Sequence, residues 1–325
     1  MRHPPEAVLA ALVVALVLAL SACAPAVRGT ASATAAPPSS TDATVAPSPT
    51  SSAAVVAPAT PASGVTKVLT IVLENHGTAA VRAGMPGLMA LADTYGQTSH
   101  YRAMTHPSLP NYLALAGGST FGVTDDAPPA AHAVPGASVF DLAITAGRTA
   151  KTYAEGMPAA CAVTSKGRYA VKHNPWAYFA DAASRTACAA DDVPLGNLAS
   201  GALADDVAGG TLPEVGLVVP DLCNDAHDCP LSTADRWVNG WMTAVLKGPD
   251  WLAGRLAVVV TFDEAERSSA NTVLTVVAAP TLHGDVVGAS LSHLSWTRWM
   301  SDLAGSPAPG DALDAPSLGA AFGLD

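Results

Sequence analysis

The sequence predicts an α/β domain built on a mostly parallel central sheet. Two segments, Val65–Leu73 and Leu256–Phe262, are continuous runs of aliphatic and β-branched residues, which is the pattern expected of strands buried on both faces of a sheet. Stretches with strand-like and helix-like patterns alternate along the chain, and the sequence shows no internal repeat. These observations favour one large domain in which helices connect parallel strands.

Four further elements follow from local patterns. We predict strands at Leu217–Pro220 and Val273–Ala278, and helices at Met85–Tyr95 and Thr233–Leu246. In the second of these helices, Ser232 or Thr233 is the predicted N-cap and Asp235 is placed in the first turn, because short polar side chains and acids satisfy the free N–H groups there.

The composition excludes several classes of partner. The 325 residues include 16 Lys and Arg against 27 Asp and Glu, which gives a formal net charge of −11. This charge makes nucleic acid an improbable partner and disfavours direct binding to anionic membranes. Half of the residues are hydrophobic and 13% are charged, so most of the chain does not have the composition of a disordered protein. A phosphate-bearing substrate would require local cations or a metal ion.

The first residues have the order of a bacterial lipoprotein signal peptide. Arg2 precedes the apolar run Ala7–Leu20, and two small residues then lead to Cys23. The run is too short to span a membrane as a mature helix. We predict a signal peptide over residues 1–22 and lipidation of Cys23. The alternative is an ordinary secretory signal that is cleaved nearby, and both interpretations imply export.

A tether is predicted between Cys23 and the folded domain. Residues 23–64 are almost wholly Ala, Pro, Ser, Thr and Val, a composition without a periodic apolar face. The folded domain is then expected over residues 65–325. In this interpretation the protein is a monomer on the outer face of the cytoplasmic membrane or in the cell envelope. The Cys23 lipid is its sole membrane contact, and the anchored protein is either retained or shed.

Four cysteines remain in the predicted domain, and export favours their oxidation to two disulfides. Three connectivities are open for four cysteines. The short separation of Cys223 from Cys229 favours a local bridge, which leaves Cys161 to pair with Cys188. A zinc site that includes His227 is the weaker alternative, because the cysteine spacing is not that of a close zinc knuckle.

Polar residues follow both of the long predicted strands. Glu74 and Asn75 come after the first strand, and Asp263 and Glu264 come after the second. Open α/β sheets place their binding sites at the carboxyl ends of strands. Strand-end carboxylates can also be solvated loop residues, so their position alone does not establish a site.

Ser108 lies between two prolines at the start of an apolar, helix-like run. A serine at a helix N-terminus is near free backbone N–H groups and the positive end of the helix dipole, which stabilise an alkoxide or a bound phosphate. Asn111, one turn further on, is placed to donate its amide to a phosphate oxygen. The pattern equally fits a serine that begins a packed helix.

Six segments together resemble the bacterial phosphoesterase family of secreted acid phosphatases and phosphatidylinositol-3-phosphatases. This family is related to phosphatidylcholine-type phospholipases C and to the alkaline phosphatase superfamily. The segments occur in the order of the family and extend through the predicted domain; they are 73–76 (LENH), 105–112 (THPSLPNY), 172–176 (KHNPW), 220–229 (PDLCNDAHDC), 261–264 (TFDE) and 292–295 (SHLS). The resemblance implies a three-layer sandwich with an alkaline-phosphatase-like, mostly parallel central sheet.

The resemblance also implies a set of site residues. One divalent metal ion of unknown identity would be held by Glu74, Asn75, Ser108, Asp263 and Glu264. Ser108 would be the nucleophile, with His227 as general acid and His293 as a base or phosphate-binding group. The implied substrate-binding residues are His106, Asn111, Lys172, His173, Asn224 and Asp228.

The function implied is an exported, metal-dependent phosphomonoesterase that resembles acid phosphatases and acts through a phosphoserine intermediate. Its substrate would be a small-molecule or lipid phosphate ester. Two alternatives stay open: a phosphodiesterase of the phospholipase C type, and an envelope binding protein that keeps the fold without turnover.

Overall fold

A computed structural model of the chain describes residues 64–267 and 269–325. The predicted signal peptide, the lipidated Cys23 and all of the predicted tether except Gly64 lie outside the described residues. Among those described, no helix is both long enough and apolar enough to cross a membrane.

An eight-stranded, mostly parallel sheet forms the centre of the domain, in the order β5-β4-β6-β1-β7-β8-β2-β9. The five strands from β5 to β7 are mutually parallel, whereas β8 runs antiparallel to both of its neighbours. A separate parallel pair is formed by β3 and β10. The strands are β1 Lys67–Leu73, β2 Gly96–Thr98, β3 Tyr101–Arg102, β4 Ala150–Ala154, β5 Asp192–Pro194, β6 Val215–Val219, β7 Leu256–Phe262, β8 Val276–Ala278, β9 Asp285–Val287 and β10 Leu291–Ser292.

Helices cover both faces of this sheet. The α-helices are α1 Thr78–Gly84, α2 Pro86–Thr94, α3 Ser108–Gly117, α4 Val139–Thr145, α5 Ala182–Asp191, α6 Ala202–Gly209, α7 Leu231–Val245, α8 Pro249–Leu252, α9 His293–Ala304 and α10 Leu318–Ala321. Short 3₁₀ turns are formed by Val171–His173, Pro175–Tyr178 and Gly310–Asp314. One layer contains α1, α2, α6, α7 and α8, and the other contains α3, α4, α5, α9 and α10. The predicted three-layer α/β architecture is therefore confirmed.

The predicted strands agree with the structure to within a few residues. The run Leu256–Phe262 is strand β7, and β1 begins at Lys67, two residues later than predicted. Both strands are buried along almost their whole length, as their continuous apolar sequences require. The buried Trp296 of α9 donates from Nε1 to Thr70 Oγ1 over 2.7 Å, which fixes this helix layer to the central strand.

The N-cap predicted for α7, Ser232 or Thr233, is wrong. The helix begins at Leu231, with Pro230 in the N-cap position, and its first turn contains no acidic residue. Asp235 is buried and accepts hydrogen bonds from the backbone N–H groups of Gly87 and Leu88 at 3.1 and 2.9 Å. Its carboxylate therefore caps the start of α2, a long-range role that the local pattern does not reveal.

Both predicted disulfides are present. Cys161 is bonded to Cys188, and Cys223 is bonded to Cys229. The zinc alternative is excluded for these cysteines because their sulfur atoms are paired. Disulfides are typical of proteins from oxidising compartments, as predicted for an exported chain. The second bridge closes the loop that follows β6, at the same end of the sheet as Glu74.

Asp250 anchors the opposite end of the sheet, and we expect its removal to destabilise the fold. This nearly buried carboxylate accepts from Lys67 Nζ, from Arg255 Nη2 at 2.8 Å and from the backbone of Leu212. An Asp250→Ala variant would leave the lysine partly buried without its counter-charge, so the free energy of unfolding should fall by about 3 kcal/mol. Urea denaturation measures this loss. The exposed Asp314→Ala should change stability little, and an equal effect in both variants would contradict the role of Asp250.

Candidate active site

Adjacent parallel strands bring the first polar residues together. Leu73 and Phe262 are paired at the ends of β1 and β7, so Glu74 and Asp263 leave the sheet side by side. The backbone N–H of Asn75 donates to Asp263 Oδ1 over 2.9 Å. Asn75 has a φ of 61°, the left-handed conformation that asparagine tolerates better than most residues. The three side chains therefore lie together at the carboxyl ends of two central strands, β1 and β7.

Ser108 is the first residue of α3, as predicted. Its hydroxyl donates to Glu74 Oε2 over 2.9 Å, and the residue is only 2% exposed. Pro107 occupies the N-cap position and provides no side-chain cap, and Asp126 Oδ1 accepts from one N–H of the first turn, that of Leu109, over 2.9 Å. The position favours negative charge on the serine oxygen or on a group bonded to it.

The surroundings of Glu74 are completed by Tyr112, His173 and Asp225. Sequence analysis did not identify Tyr112 or Asp225 as site residues. Tyr112, one turn after Ser108 on the same face of α3, donates to Glu74 Oε1 over 2.7 Å. The ring of His173 stacks on this tyrosine, with its Nε2 atom 3.1 Å from Glu74 Oε1 and its Nδ1 atom 3.2 Å from Asp225 Oδ2. The spacing of Tyr112 from Ser108 is a signal that could have identified it. Asp225 lies near Glu74 because its loop follows β6, the strand that pairs with β1.

The electrostatics of this cluster call for a cation. Burial, followed by the charges of Asp263 and Asp225, raises the pKa of Glu74 well above its usual range. Burial and the charge of Glu264 raise the pKa of Asp263 to about 7, and burial raises the pKa of Asp225 to about 7. The Oδ2 atom of Asp263 is buried without a hydrogen-bond partner. Buried carboxylates in this arrangement are stabilised in their ionised form by a bound positive charge.

The donor set fits a divalent metal ion. Carboxylate, hydroxyl and amide oxygens are ligands of hard and borderline cations. The unpartnered oxygen of Asp263 and the hydroxyl of Ser108 both lie next to the carboxylate of Glu74, which is where such an ion would gain most from the buried negative charge. Four of the five predicted ligands are joined by contacts within this cluster, namely Glu74, Asn75, Ser108 and Asp263.

Lys172 is the ammonium group next to this acidic cluster. Its Nζ atom donates to Asp126 Oδ2 over 3.0 Å and lies 3.5 Å from His227 Nε2. Burial opposes its charge, but the carboxylates of Glu74 and Asp126 more than offset this and raise the pKa of Lys172. Asp126, which sequence reasoning missed, also accepts from the backbone N–H of Leu109 over 2.9 Å. His227 is oriented by Asp228, whose Oδ1 atom lies 2.8 Å from His227 Nδ1.

The geometry therefore combines a buried serine at a helix N-terminus, an acidic pocket and a neighbouring lysine. A sequence model described as the Phosphoesterase family matches residues 80–271, which is more than half of the chain. The chain belongs to the Phosphoesterase family. The matched range includes α3 with Ser108, the turn with Lys172 and the end of β7 with Asp263.

Curated relatives of this family member include phosphatases from bacteria and fungi. A phosphatidylinositol-3-phosphatase of Mycobacterium tuberculosis is 31% identical over 77% of this chain and 81% of the relative. A probable acid phosphatase of Kluyveromyces lactis is 29% identical over 63% of this chain. A phosphate-repressible acid phosphatase of Penicillium chrysogenum is 32% identical over 53% of it. The matches span only 52% and 41% of the two fungal proteins.

Solved structures show the same fold at low sequence identity. A protein of the alkaline phosphatase superfamily from Vibrio parahaemolyticus superposes with a TM-score of 0.50 at 10% identity, covering 74% of this chain and 66% of its own. A lipoteichoic acid synthase from Listeria monocytogenes gives 0.53 at 10% identity, covering 78% and 76%. The alkaline-phosphatase-like architecture predicted from the sequence is thus confirmed.

The structure gives His293 a different position from the one predicted for this Phosphoesterase-family site. The ring is fully buried, with Nε2 2.6 Å from the backbone oxygen of Asp263 and Nδ1 3.3 Å from the hydroxyl of Tyr101. Because a carbonyl oxygen only accepts, Nε2 carries the proton. Burial lowers the pKa of His293 to about 4. Both ring nitrogens are occupied, so we reassign His293 from base or phosphate ligand to a residue that positions Asp263.

The side chain of Asn111 is likewise hydrogen-bonded to the loop before α3. Its Oδ1 atom accepts from the backbone of Met104 and Thr105, and its Nδ2 atom donates to the backbone oxygens of Thr105 and Pro107 and to Glu264 Oε2. The predicted donation to a phosphate oxygen is therefore not supported by its contacts. The buried amide instead fixes the loop that leads into Ser108.

Glu264 contacts both His106, in the loop before α3, and Asn111 in α3 itself. The Oε2 atom of Glu264 accepts from Asn111 Nδ2 over 3.1 Å and lies 3.0 Å from His106 Nδ1. Burial lowers the pKa of His106. The structure thus places the fifth predicted ligand against the loop before α3 rather than in hydrogen-bond contact with Ser108 or Glu74.

Two other predicted phosphate ligands also have structural partners. Asn224 donates from Nδ2 to Glu155 Oε2 over 2.9 Å, and Glu155 also accepts from the indole of Trp237. Burial lowers the pKa of His173 well below its usual range, so its neutral ring carries one N–H, which faces either Glu74 or Asp225. Lys172 and Asp228, which were predicted to bind substrate, and His227, which was predicted as the general acid, keep positions open to a substrate.

Proposed function

We propose that this protein is an exported, metal-dependent phosphomonoesterase that resembles acid phosphatases and forms a phosphoserine at Ser108. The observation that carries the proposal is the hydrogen bond from the Ser108 hydroxyl to Glu74, at a helix N-terminus and beside the unpartnered carboxylate oxygen of Asp263. The names of its relatives support the reaction class, since the bacterial relative and the fungal ones are named as phosphatases.

Glu74, Asn75, Ser108 and Asp263 would hold one divalent metal ion, with Glu264 as the remaining candidate from the sequence. When bound, the ion would lower the pKa of the serine hydroxyl and offset negative charge on the phosphoryl group. The buried carboxylates of Glu74 and Asp263 would then be ionised, because the positive charge of the ion would balance their negative charge.

In the first step, the Ser108 hydroxyl gives up its proton to solvent water and Oγ attacks phosphorus. The new Oγ–P bond forms while the bond from phosphorus to the alcohol oxygen breaks, and the leaving oxygen takes a proton from His227. Asp228 orients the imidazole through its contact with Nδ1. Lys172 offsets negative charge on the non-bridging oxygens. In the second step, water gives a proton to His227 and attacks phosphorus, the Oγ–P bond breaks, inorganic phosphate leaves, and Ser108 Oγ takes a proton from solvent.

Replacing Lys172 by alanine should lower kcat/KM for a phosphomonoester by about a hundredfold, because one charged donor to the phosphoryl group is lost. Steady-state kinetics with an aryl phosphate measure the effect. Lys166→Ala is the matched control, since this lysine is exposed in the same segment. Unchanged kcat/KM in Lys172→Ala would remove Lys172 from the mechanism.

Hydrolysis of paired chromogenic esters tests the proposed function. Residues 65–325 are assayed with a phosphomonoester and the corresponding phosphodiester between about pH 4 and 9, with and without added divalent metals. Turnover of the monoester that is lost in Ser108→Ala is the expected result. Turnover of the diester alone would favour the phospholipase C type of reaction. No turnover of either ester would leave the binding-protein alternative.

We further propose that Cys23 carries the lipid that retains the protein at the cell surface, with residues 24–64 as the tether. The basis is the signal sequence alone. We expect Cys23→Ala to move the protein from the membrane fraction to the medium. Equal membrane association of both forms would contradict this anchor.

A further inference from the structure

A cavity of about 530 Å³ opens beside the candidate active site. Its walls are largely apolar and include Pro128, Tyr169, Val171 and Leu222. Two polar groups near these walls have partners within the protein. Ser165 Oγ accepts from the backbone N–H of Val171 over 3.0 Å. The Tyr169 hydroxyl donates to the backbone oxygen of Ala162 over 2.8 Å. The cavity therefore offers apolar surface along its walls and few free polar groups.

The polar end of the cavity is formed by residues of the candidate site. Asp126, Lys172 and His227 all line it. Asp126 accepts from the backbone N–H of Leu109, which directly follows Ser108 in α3, and from Lys172 Nζ. The groups that would bind the phosphoryl oxygens and protonate the leaving oxygen thus stand where the apolar walls begin.

The disulfide loop holds one wall in place. Leu222 directly precedes the bonded pair of Cys223 and Cys229, and its backbone oxygen accepts from the N–H of Asp228 over 2.7 Å. His227 belongs to the same closed loop. The distance between the apolar wall and the predicted general acid is therefore set by a cross-linked segment, so the cavity needs little rearrangement to receive a ligand.

We propose that this cavity binds the alcohol part of the phosphomonoester and selects apolar alkyl or aryl leaving groups. The proposal rests on the proposed function, because it assumes that the phosphoryl group lies between Ser108 and Lys172. An alcohol that extends from His227 into the cavity exchanges water for apolar walls. Burial of each methylene can strengthen transition-state binding by up to about fourfold. A polyhydroxylated alcohol would lose hydrogen bonds to water without replacement.

Alkyl phosphates of increasing length test the proposal, because ethanol and hexanol are leaving groups of similar acidity. The full domain is assayed with ethyl, butyl and hexyl phosphate by phosphate release. We expect kcat/KM to rise at least tenfold from the ethyl to the hexyl ester, since only part of the chain needs to be buried. A ratio of hexyl to ethyl kcat/KM near one in the active enzyme would overturn the proposal and leave the proposed function intact.

Two variants test whether this cavity causes the preference for the hexyl over the ethyl ester. Leu222→Asn makes one wall polar with the same branching and number of side-chain heavy atoms, and Thr164→Trp adds bulk from an exposed position on the rim. Both should reduce the hexyl-to-ethyl ratio toward one. Leu252→Asn, at a residue that is 73% exposed on α8, is the matched control and should keep the ratio of the wild type. A ratio that survives both cavity variants would overturn the proposal, whereas loss of all ester turnover in the wild type would overturn the proposed function itself.

Discussion

Ser108→Ala is expected to reduce kcat for phosphomonoester hydrolysis by at least about a thousandfold, because no other hydroxyl replaces an activated nucleophile. The change deletes a single oxygen atom from a small buried side chain. Tyr112 and His173 still contact Glu74 in the variant, so the acidic cluster keeps its supports. Steady-state kinetics together with a thermal melt separate loss of chemistry from loss of fold.

Ser290→Ala is the control for this variant. Ser290 is exposed in the segment before β10, and its replacement should leave both kcat and the melting temperature unchanged. Activity of Ser108→Ala within tenfold of the wild type would show that water attacks phosphorus directly, and it would remove the covalent step.

Removal of divalent metal is expected to lower activity by more than about a hundredfold, and adding a divalent metal should restore it. The reason is the buried negative charge of Glu74, Asp225 and Asp263, which the neighbouring Lys172, itself paired with Asp126, offsets only in part. Elemental analysis of the purified protein should find one metal ion per chain. Full activity in protein shown to be free of metal would contradict the proposed site.

Asp263→Asn distinguishes a metal site from a structural cluster. The variant should lose both activity and the metal-induced rise in melting temperature, because a ligand is lost. The metal-free form of the variant should be at least as stable as metal-free wild type, because one buried charge has been removed. The exposed Asp314→Asn should behave as the wild type throughout. A normal metal-induced rise in Asp263→Asn would contradict its role as a ligand.

The central strands could be predicted from local sequence, whereas the capping of α7 could not, for a physical reason. The central strands β1 and β7 are buried on both faces, and this burial requires continuous apolar sequence that can be recognised without other information. The start of α7 depends instead on a partner far away in the chain. Asp235 resembles a first-turn residue of its own helix, yet it caps α2 through Gly87 and Leu88.

The candidate site shows the same division between local and long-range information. Glu74, Asp263 and Ser108 were predicted because strand ends and helix starts are local features. Asp225 and Asp126 were missed because their roles depend on which loops the fold brings against Glu74 and Lys172.

His293 and Asn111 show what a sequence motif leaves undetermined. A motif predicts that a residue is near the site, but the direction of the side chain decides its role. Both side chains are buried and make their hydrogen bonds to neighbouring protein groups, largely backbone. They support Asp263 and the loop before Ser108, so they act on the reaction by positioning other residues.

The covalent step can be tested directly by trapping the phosphorylated enzyme. The protein is mixed with an excess of an aryl phosphomonoester, quenched in acid during the first turnovers, digested and examined by mass spectrometry. Our account predicts one phosphate on the peptide that contains Ser108, at the serine itself, and none in Ser108→Ala. Rapid turnover without phosphate on Ser108, together with an active Ser108→Ala variant, would contradict it.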